Sequence, residues 1–273
     1  MVLKKAGQCG MSSVYDITEI AHKTWRISEA GKVNCYLVEG DTSALLIDSC
    51  WGVGDLYGVV KSITSKPLSI VATHLHPDHV GGAKQFGNYY VHEADLRFIN
   101  NVMCCSLACH MGGRRIGASE KHRKVKISRK IAIKDGYIYI FELGNRKLTV
   151  KNIPGHTKGS IMLIDEKYKL IFTGDDVNPN MWLQMPGAVS LEEWQKGAEI
   201  VLSYLKDGYF AWNGHDEGAL SLDMANRVYV LVDEIIDKYK KGKLQKNDSP
   251  YQNDHTIPNV QFRMNKILKA PKE

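Results

Sequence analysis

Directly after an apolar, β-branched stretch, Ser69 to Thr73, the chain reads His74-Leu75-His76-Pro77-Asp78-His79-Val80-Gly81-Gly82, which places four side chains able to hold a metal ion within six residues. Side chains of an extended segment alternate with period two, so His74 and His76 project to the same side. Pro77 then ends the strand and turns Asp78 and His79 toward a second point nearby. One ion needs at least three protein ligands, and one short motif cannot close two such sites, so the fold has to bring further ligands from elsewhere. Three residues meet that demand. His156 sits in IPGHTKGS, Asp175 ends IFTGD, and His215 lies in FAWNGHDEG. Each follows an apolar strand-like run and stands beside a glycine, where backbone can approach an ion closely. A lone histidine after a strand is ordinarily structural; the dense motif together with three later strand-end ligands is what points to a metal site. Imidazole and carboxylate in one set suit zinc first and admit iron or manganese.

Periodicity predicts strands at Val14 to Ile20, Cys35 to Val38, Ala44 to Ile47 and Ser69 to Thr73, and a second set at Tyr137 to Phe141, Lys147 to Ile153, Ser160 to Ile164, Leu170 to Thr173 and Tyr209 to Trp212. Helical spacing appears over Gly54 to Ile63, Glu93 to about Val102, Leu191 to Leu205 and Leu222 to Tyr239. Ser190 stands three residues before Glu193, a capping-box signature. Two strand clusters, each with helices, predict two βα halves that cover each other's apolar faces in a layered α/β sandwich. Each half contains an apolar strand that stops at an aspartate, LLIDSC at Asp48 and IFTGDD at Asp175.

These motifs, His74-Leu75-His76-Pro77-Asp78-His79, Gly155-His156, Thr173-Gly174-Asp175 and Gly214-His215, resemble in kind and order those of the metallo-β-lactamase superfamily. The resemblance implies a four-layer αββα sandwich; the single domain expected over residues 1–273 includes a basic insert at about 103–134, read from its charge, and a peripheral C-terminal tail at about 240–273, read from its polar composition. It also implies two ions, zinc with iron or manganese as alternatives. His74, His76 and His156 would hold one, Asp78, His79 and His215 the other, and Asp175 would bridge them, with Asp48 orienting a ligating histidine. The expected reaction is cleavage of an ester, thioester or lactone by a metal-bridging hydroxide, with Asp78 as the proton carrier. Asp175 is similar to the bridging carboxylate of the glyoxalase II and lactonase branches, and antibiotic hydrolysis is disfavoured. The run Asp175-Asp176-Val177-Asn178 lacks the tyrosine that lactonases carry shortly after that aspartate, and the last 50 residues lack a clear version of the glutathione-gripping cluster of glyoxalase II. A phosphodiesterase or nuclease of the same superfamily, and a metal-binding protein without turnover, are the alternatives.

Charge and composition bear on the substrate. The net charge is +6, and residues 110–134 alone carry nine cations against Glu120, leaving the remainder at −2. The plain reading is a solvated connecting segment; the sharper one is a lid that draws anionic substrates toward the site, with His110 approaching them. Nuclease relatives add a large domain or an RNA-binding arm, so a small molecule with an anionic end is preferred to nucleic acid. The run 178–186, with Met181 and Trp182, is too apolar for an ordinary exposed loop and is a candidate pocket wall. Cys104, Cys105 and Cys109 read as buried thiols rather than as a further metal site, and His22, His92, His122 and His255 lack neighbouring ligands. No apolar run approaches the roughly 18 residues of a membrane helix, and nothing behind the basic start reads as an export signal, so a cytoplasmic address with reduced cysteines is expected. A homodimer is left open.

Overall fold

The computed structural model describes residues 14–96, 130–244 and 257–268. Two sheets dominate it. The first has seven strands in the order β1 to β7: β1 (Tyr15–Ala21), β2 (Thr24–Glu29), β3 (Val33–Glu39), β4 (Ala44–Ile47), β5 (Leu68–Val71), β6 (Tyr89–His92) and β7 (Lys130–Ile133). β1 to β4 form an antiparallel meander, whereas β4, β5, β6 and β7 run parallel. The second sheet has the order β13-β11-β10-β9-β8, from β8 (Tyr139–Glu142), β9 (Lys147–Asn152), β10 (Ile161–Asp165), β11 (Leu170–Gly174) and β13 (Phe210–Asn213), with β11 and β13 parallel.

Alternation along the central strands makes the layers. On β3, β4 and β11, Tyr36, Val38, Leu45, Ile47, Leu170 and Phe172 point into a core shared by the two sheets. The intervening Cys35, Leu37, Ala44 and Leu46 face the other way, onto a cluster that includes Leu56 and Val60 of α1 (Leu56–Ile63). In the second sheet, Met162, Ile164 and Ile171 face a cluster with α4 (Leu191–Lys206) and α5 (Leu222–Lys240). Strands apolar on both faces must be covered on both, and the αββα order is the result. Ser190 accepts from the Glu193 amide and Glu193 reaches back to the Ser190 amide, closing the predicted capping box at the start of α4.

The structure departs from the expected elements in instructive places. β2 was not expected, because TWRISE mixes aromatic and charged residues. Its Glu29 is fully buried and is satisfied there by the Tyr15 hydroxyl and the amides of Gly52, Val53 and Gly54. Of the helix expected from Glu93 to Val102, α3 (Glu93–Leu96) lies within the described residues. Cys104, Cys105, Cys109 and His110, and the basic insert up to residue 129, lie outside them. The C-terminal tail is not peripheral throughout. Its β14 (Asn259–Gln261) pairs in parallel with β12 (Asn180–Trp182), and Val260 and Ile267 are buried with the α4 and α5 cluster. Two well-spaced apolar anchors hold this segment down in spite of its polar composition.

Candidate metal centre

The strands β4, β5, β9, β11 and β13 all deliver their C-terminal ends to one edge of the sandwich. Beyond β5 come His74 and His76, and then the short α2 (Pro77–Val80), with Pro77 at its first position and Asp78 and His79 in its turn. His156 lies between β9 and β10, Asp175 follows β11, and His215 follows β13. The Ile161 amide donates to the Thr73 carbonyl at 3.0 Å and the Asn34 amide to the Gly214 carbonyl at 2.8 Å, so the sheets are tied together beside these residues. At Gly214 a Cβ would fall 2.5 Å from Asp175 Oδ1 and 2.6 Å from His79 Cε1. Glycine is required there because the backbone forms one wall of the site.

All seven residues predicted as ligands meet at this edge. Three groups each bring ligand atoms within 4.8 Å of one another: His74 with His76 and His156; His74 with His79 and Asp175; and Asp78 with His79 and His215. His76 Nδ1 and His156 Nε2 face each other at 2.7 Å. Asp175 Oδ2 stands among three ring nitrogens, 3.0 Å from His215 Nε2, 3.4 Å from His79 Nε2 and 3.7 Å from His156 Nε2. Asp78 Oδ2 is 3.8 Å from His215 Nε2.

The outward-facing ring nitrogens decide what the inward ones can do. His156 Nδ1 lies 2.9 Å from the Trp182 carbonyl, His215 Nδ1 2.8 Å from the Lys32 carbonyl, and His76 Nε2 3.4 Å from the Pro186 carbonyl. A carbonyl only accepts, so in the neutral ring the other nitrogen carries the lone pair. His79 Nδ1 is 2.8 Å from Asp48 Oδ2, and His74 Nδ1 is 3.1 Å from the Thr73 hydroxyl, which itself donates to Asp48. All five histidines therefore direct a basic nitrogen inward. His74 Nε2, His79 Nε2 and Asp175 Oδ1 are buried and make no hydrogen bond, a state that is costly unless a cation satisfies it. The donor set fits divalent metal.

Electrostatics agree with this arrangement. Burial, reinforced by His79, His76 and His156, holds His74 well below the usual histidine range, and burial with His76 pushes His156 down to about 3. Burial would also lower His79 and His215, but Asp175 outweighs it: His79 is raised well above its ordinary value, with help from Asp48, and His215 is raised to about 9. Asp175 itself is held well below the carboxylate range; burial would raise it, but the charges of His215 and His79 prevail. Asp175 thus demands positive charge beside it, whether a proton on a ring or a metal ion.

Residues 29–195 match the family model described as the metallo-beta-lactamase superfamily. The chain belongs to this superfamily. The acyl-coenzyme A thioesterase MBLAC2 of Gallus gallus is 34% identical over 171 residues, 56% of this chain and 60% of the relative, and its Homo sapiens counterpart is 30% identical over 172 residues, 56% and 61%. The matched part thus spans about three fifths of these relatives. Among solved structures, the stereoselective inverting sec-alkylsulfatase Pisa1 from Pseudomonas superposes with a TM-score of 0.64 at 13% identity, covering 86% of this chain and 44% of that one, a likeness of fold.

Asp48, expected to orient a ligating histidine, stands against the ring of His79, at a backbone φ of 61°. Met181 does not line the site. It is fully buried in the cluster with α4 and α5, because β12 is clamped by β14. Trp182 is half-buried, and its backbone carbonyl faces His156. Sequence reasoning also missed Thr73, the Pro186 carbonyl and Asp176. Asp176 Oδ1 accepts from the His156 amide at 2.6 Å, and burial pushes its carboxyl well up. A second aspartate after Asp175 was the only visible signal. Among the described residues no helix is long and apolar enough to cross a membrane.

Proposed function

We propose that this protein is a binuclear metal-dependent hydrolase acting on an ester-type acyl substrate, a thioester first. The observation that carries the reading is the convergence of five histidines, each with its outer nitrogen engaged by an oxygen, on Asp175 and Asp78. His74, His76 and His156 would hold one ion, and Asp78, His79 and His215 the other, with Asp175 shared between them. Zinc suits the imidazole-rich group best, and the carboxylates admit iron or manganese. Bound there, the ions would polarise the substrate carbonyl and make hydroxide available near neutral pH.

The chain's own residues do the rest. Asp48 and Thr73, with the carbonyls of Trp182, Lys32 and Pro186, fix the ring tautomers. Asp78 and His215 are both partly exposed, and Asp78 would carry a proton away from the reacting centre. The thioester preference rests on the names of the two relatives.

The test is elemental analysis of protein purified without chelator, alongside thioester, lactone, aryl ester and phosphodiester substrates. About two ions per chain and preferred thioester turnover, abolished by chelator and restored by metal, is the expected result. Less than one ion, not raised by added metal, refutes the ligand assignment. Full occupancy with phosphodiester turnover alone refutes the acyl substrate.

A further inference from the structure

We propose that Asp95, which none of the motifs contains, is a positioning residue that fixes how His74 and His76 stand relative to His156. This inference rests on the metal-site reading above. Asp95 lies in α3, directly after β6, and is buried. Its Oδ2 accepts from the Leu75 amide at 3.0 Å and from the Thr157 hydroxyl at 2.9 Å, and its Oδ1 accepts from the Gly159 amide at 2.8 Å. Leu75 is the residue between His74 and His76, and Thr157 is the residue after His156. One carboxylate thus ties the turn that leaves the first sheet to the turn that links β9 to β10 in the second.

The surroundings are built for this contact. Gly159 approaches so closely that a Cβ there would fall 2.5 Å from Asp95 Oδ1. Thr157 is held for its role by Ser160, whose Oγ lies 3.0 Å from both the Thr157 amide and its hydroxyl. No Lys or Arg pairs with Asp95 among the described residues, so its burial is satisfied by these three hydrogen bonds. All three land within three residues of a candidate ligand.

The division of labour with Asp48 follows. Asp48 orients the ring of His79, and through Thr73 that of His74. Asp95 acts on the backbones that carry His74, His76 and His156, and so on the spacing of the three imidazoles. A metal site tolerates about 0.5 Å of misplacement in its ligands, and two turns from different sheets hold such a tolerance only if something joins them.

Asp95→Asn tests this. It keeps the side-chain shape but replaces one acceptor oxygen with an amide donor that must face a donor. With the fold intact by far-UV circular dichroism, the expected result is a loss of zinc affinity of about 10- to 100-fold in chelator competition, the range seen when partners of metal ligands are removed. The visible absorption of the cobalt-substituted protein shifts with it. Asp165→Asn supplies the comparison, since Asp165 is fully buried against Arg146, and its loss lowers the melting temperature without altering either metal readout. Wild-type zinc affinity and an unchanged cobalt spectrum in Asp95→Asn overturn the inference while leaving the functional reading standing; a wild-type chain that binds no metal overturns both. If Asp95→Asn does not fold, Thr157→Val removes the hydroxyl contact to Asp95 together with that to Ser160, and Ser160→Ala removes the Ser160 contact while leaving that to Asp95: zinc affinity reduced in Thr157→Val but not in Ser160→Ala supports the inference, and affinity unchanged in Thr157→Val, or equally reduced in both, overturns it.

Discussion

Asp48→Asn is the sharpest probe of the tautomer argument, because the substitution changes almost nothing else. Asp48 sits at a φ of 61°, a left-handed conformation that asparagine tolerates as readily as aspartate. The carboxylate receives the His79 ring at 2.8 Å, the Thr73 amide at 2.7 Å and the Thr73 hydroxyl at 2.9 Å. Asparagine has one accepting oxygen for these donors. If its amide turns toward His79, the ring moves its proton to Nε2 and loses the inward lone pair. If it turns toward Thr73, a buried amide faces another donor, at a cost of about 1–3 kcal/mol. Either route takes roughly 1.4–2.8 kcal/mol from metal binding, which is about 10- to 100-fold in affinity. Competition with a chromophoric chelator at fixed pH measures it, with elemental analysis identifying how many ions are lost. Affinity within about twofold of the wild type at full occupancy would falsify the claim that Asp48 sets the His79 tautomer.

Other perturbations separate metal binding from folding. Gly214→Ala places a methyl group 2.5 Å from Asp175 Oδ1 and 2.6 Å from His79 Cε1, so it is expected to lower metal content while leaving the far-UV spectrum intact; full occupancy would mean the backbone is not a wall of the site. Arg146→Met strands buried Asp165 and leaves the Thr24 hydroxyl and the Glu39 carbonyl without their guanidinium partner. The expected cost is about 3–5 kcal/mol, seen as a lower melting temperature with metal affinity preserved. In the metal-free protein His215 is raised to about 9 and His79 well above the ordinary range, so both shed protons when an ion binds. Apparent affinity should therefore climb as pH rises toward 9, and calorimetry in buffers of different ionisation enthalpy should detect the released protons; binding that is flat between about pH 6 and 8 would contradict the assigned charge states.

The candidate site was legible because its potential metal-binding side chains sit where apolar strands stop beside glycine, and strand ends can be read from local pattern. The residues that hydrogen-bond to those side chains and their backbones were not legible, since these contacts exist only across distance. Asp95 meets Thr157 and Gly159 at separations of 62 and 64 residues, and in HEADL it reads as an ordinary acid in a first helical turn. The backbone carbonyls of Lys32, Trp182 and Pro186 carry no side-chain signal at all. Similar reasons explain the misread elements. Glu29 breaks the apolar alternation of β2 because its burial is met by hydrogen bonds rather than by packing. Met181 belongs to an apolar run that resembles a ligand wall, but the strand that covers it comes from the far end of the chain.

That covering strand ties the site to the rest of the molecule in a way the motif order does not suggest. The His156 tautomer depends on the Trp182 carbonyl, and Trp182 closes the pairing of β12 with β14 opposite Gln261. Beyond it, the Leu183 amide donates to the Gln261 carbonyl at 2.7 Å and Arg263 Nε to the Gln184 carbonyl at 2.7 Å, while Pro186 a little further on presents its carbonyl to His76. Two of the three histidines in the first group are therefore oriented by a loop whose backbone is held by residues 259–263. The third, His74, is oriented from the first sheet through Thr73 and Asp48. Control of one group of donors is shared among both sheets and the C-terminal segment, so the geometry of the site is set by the packing of the sandwich as a whole, and the metal motif by itself supplies only the donors.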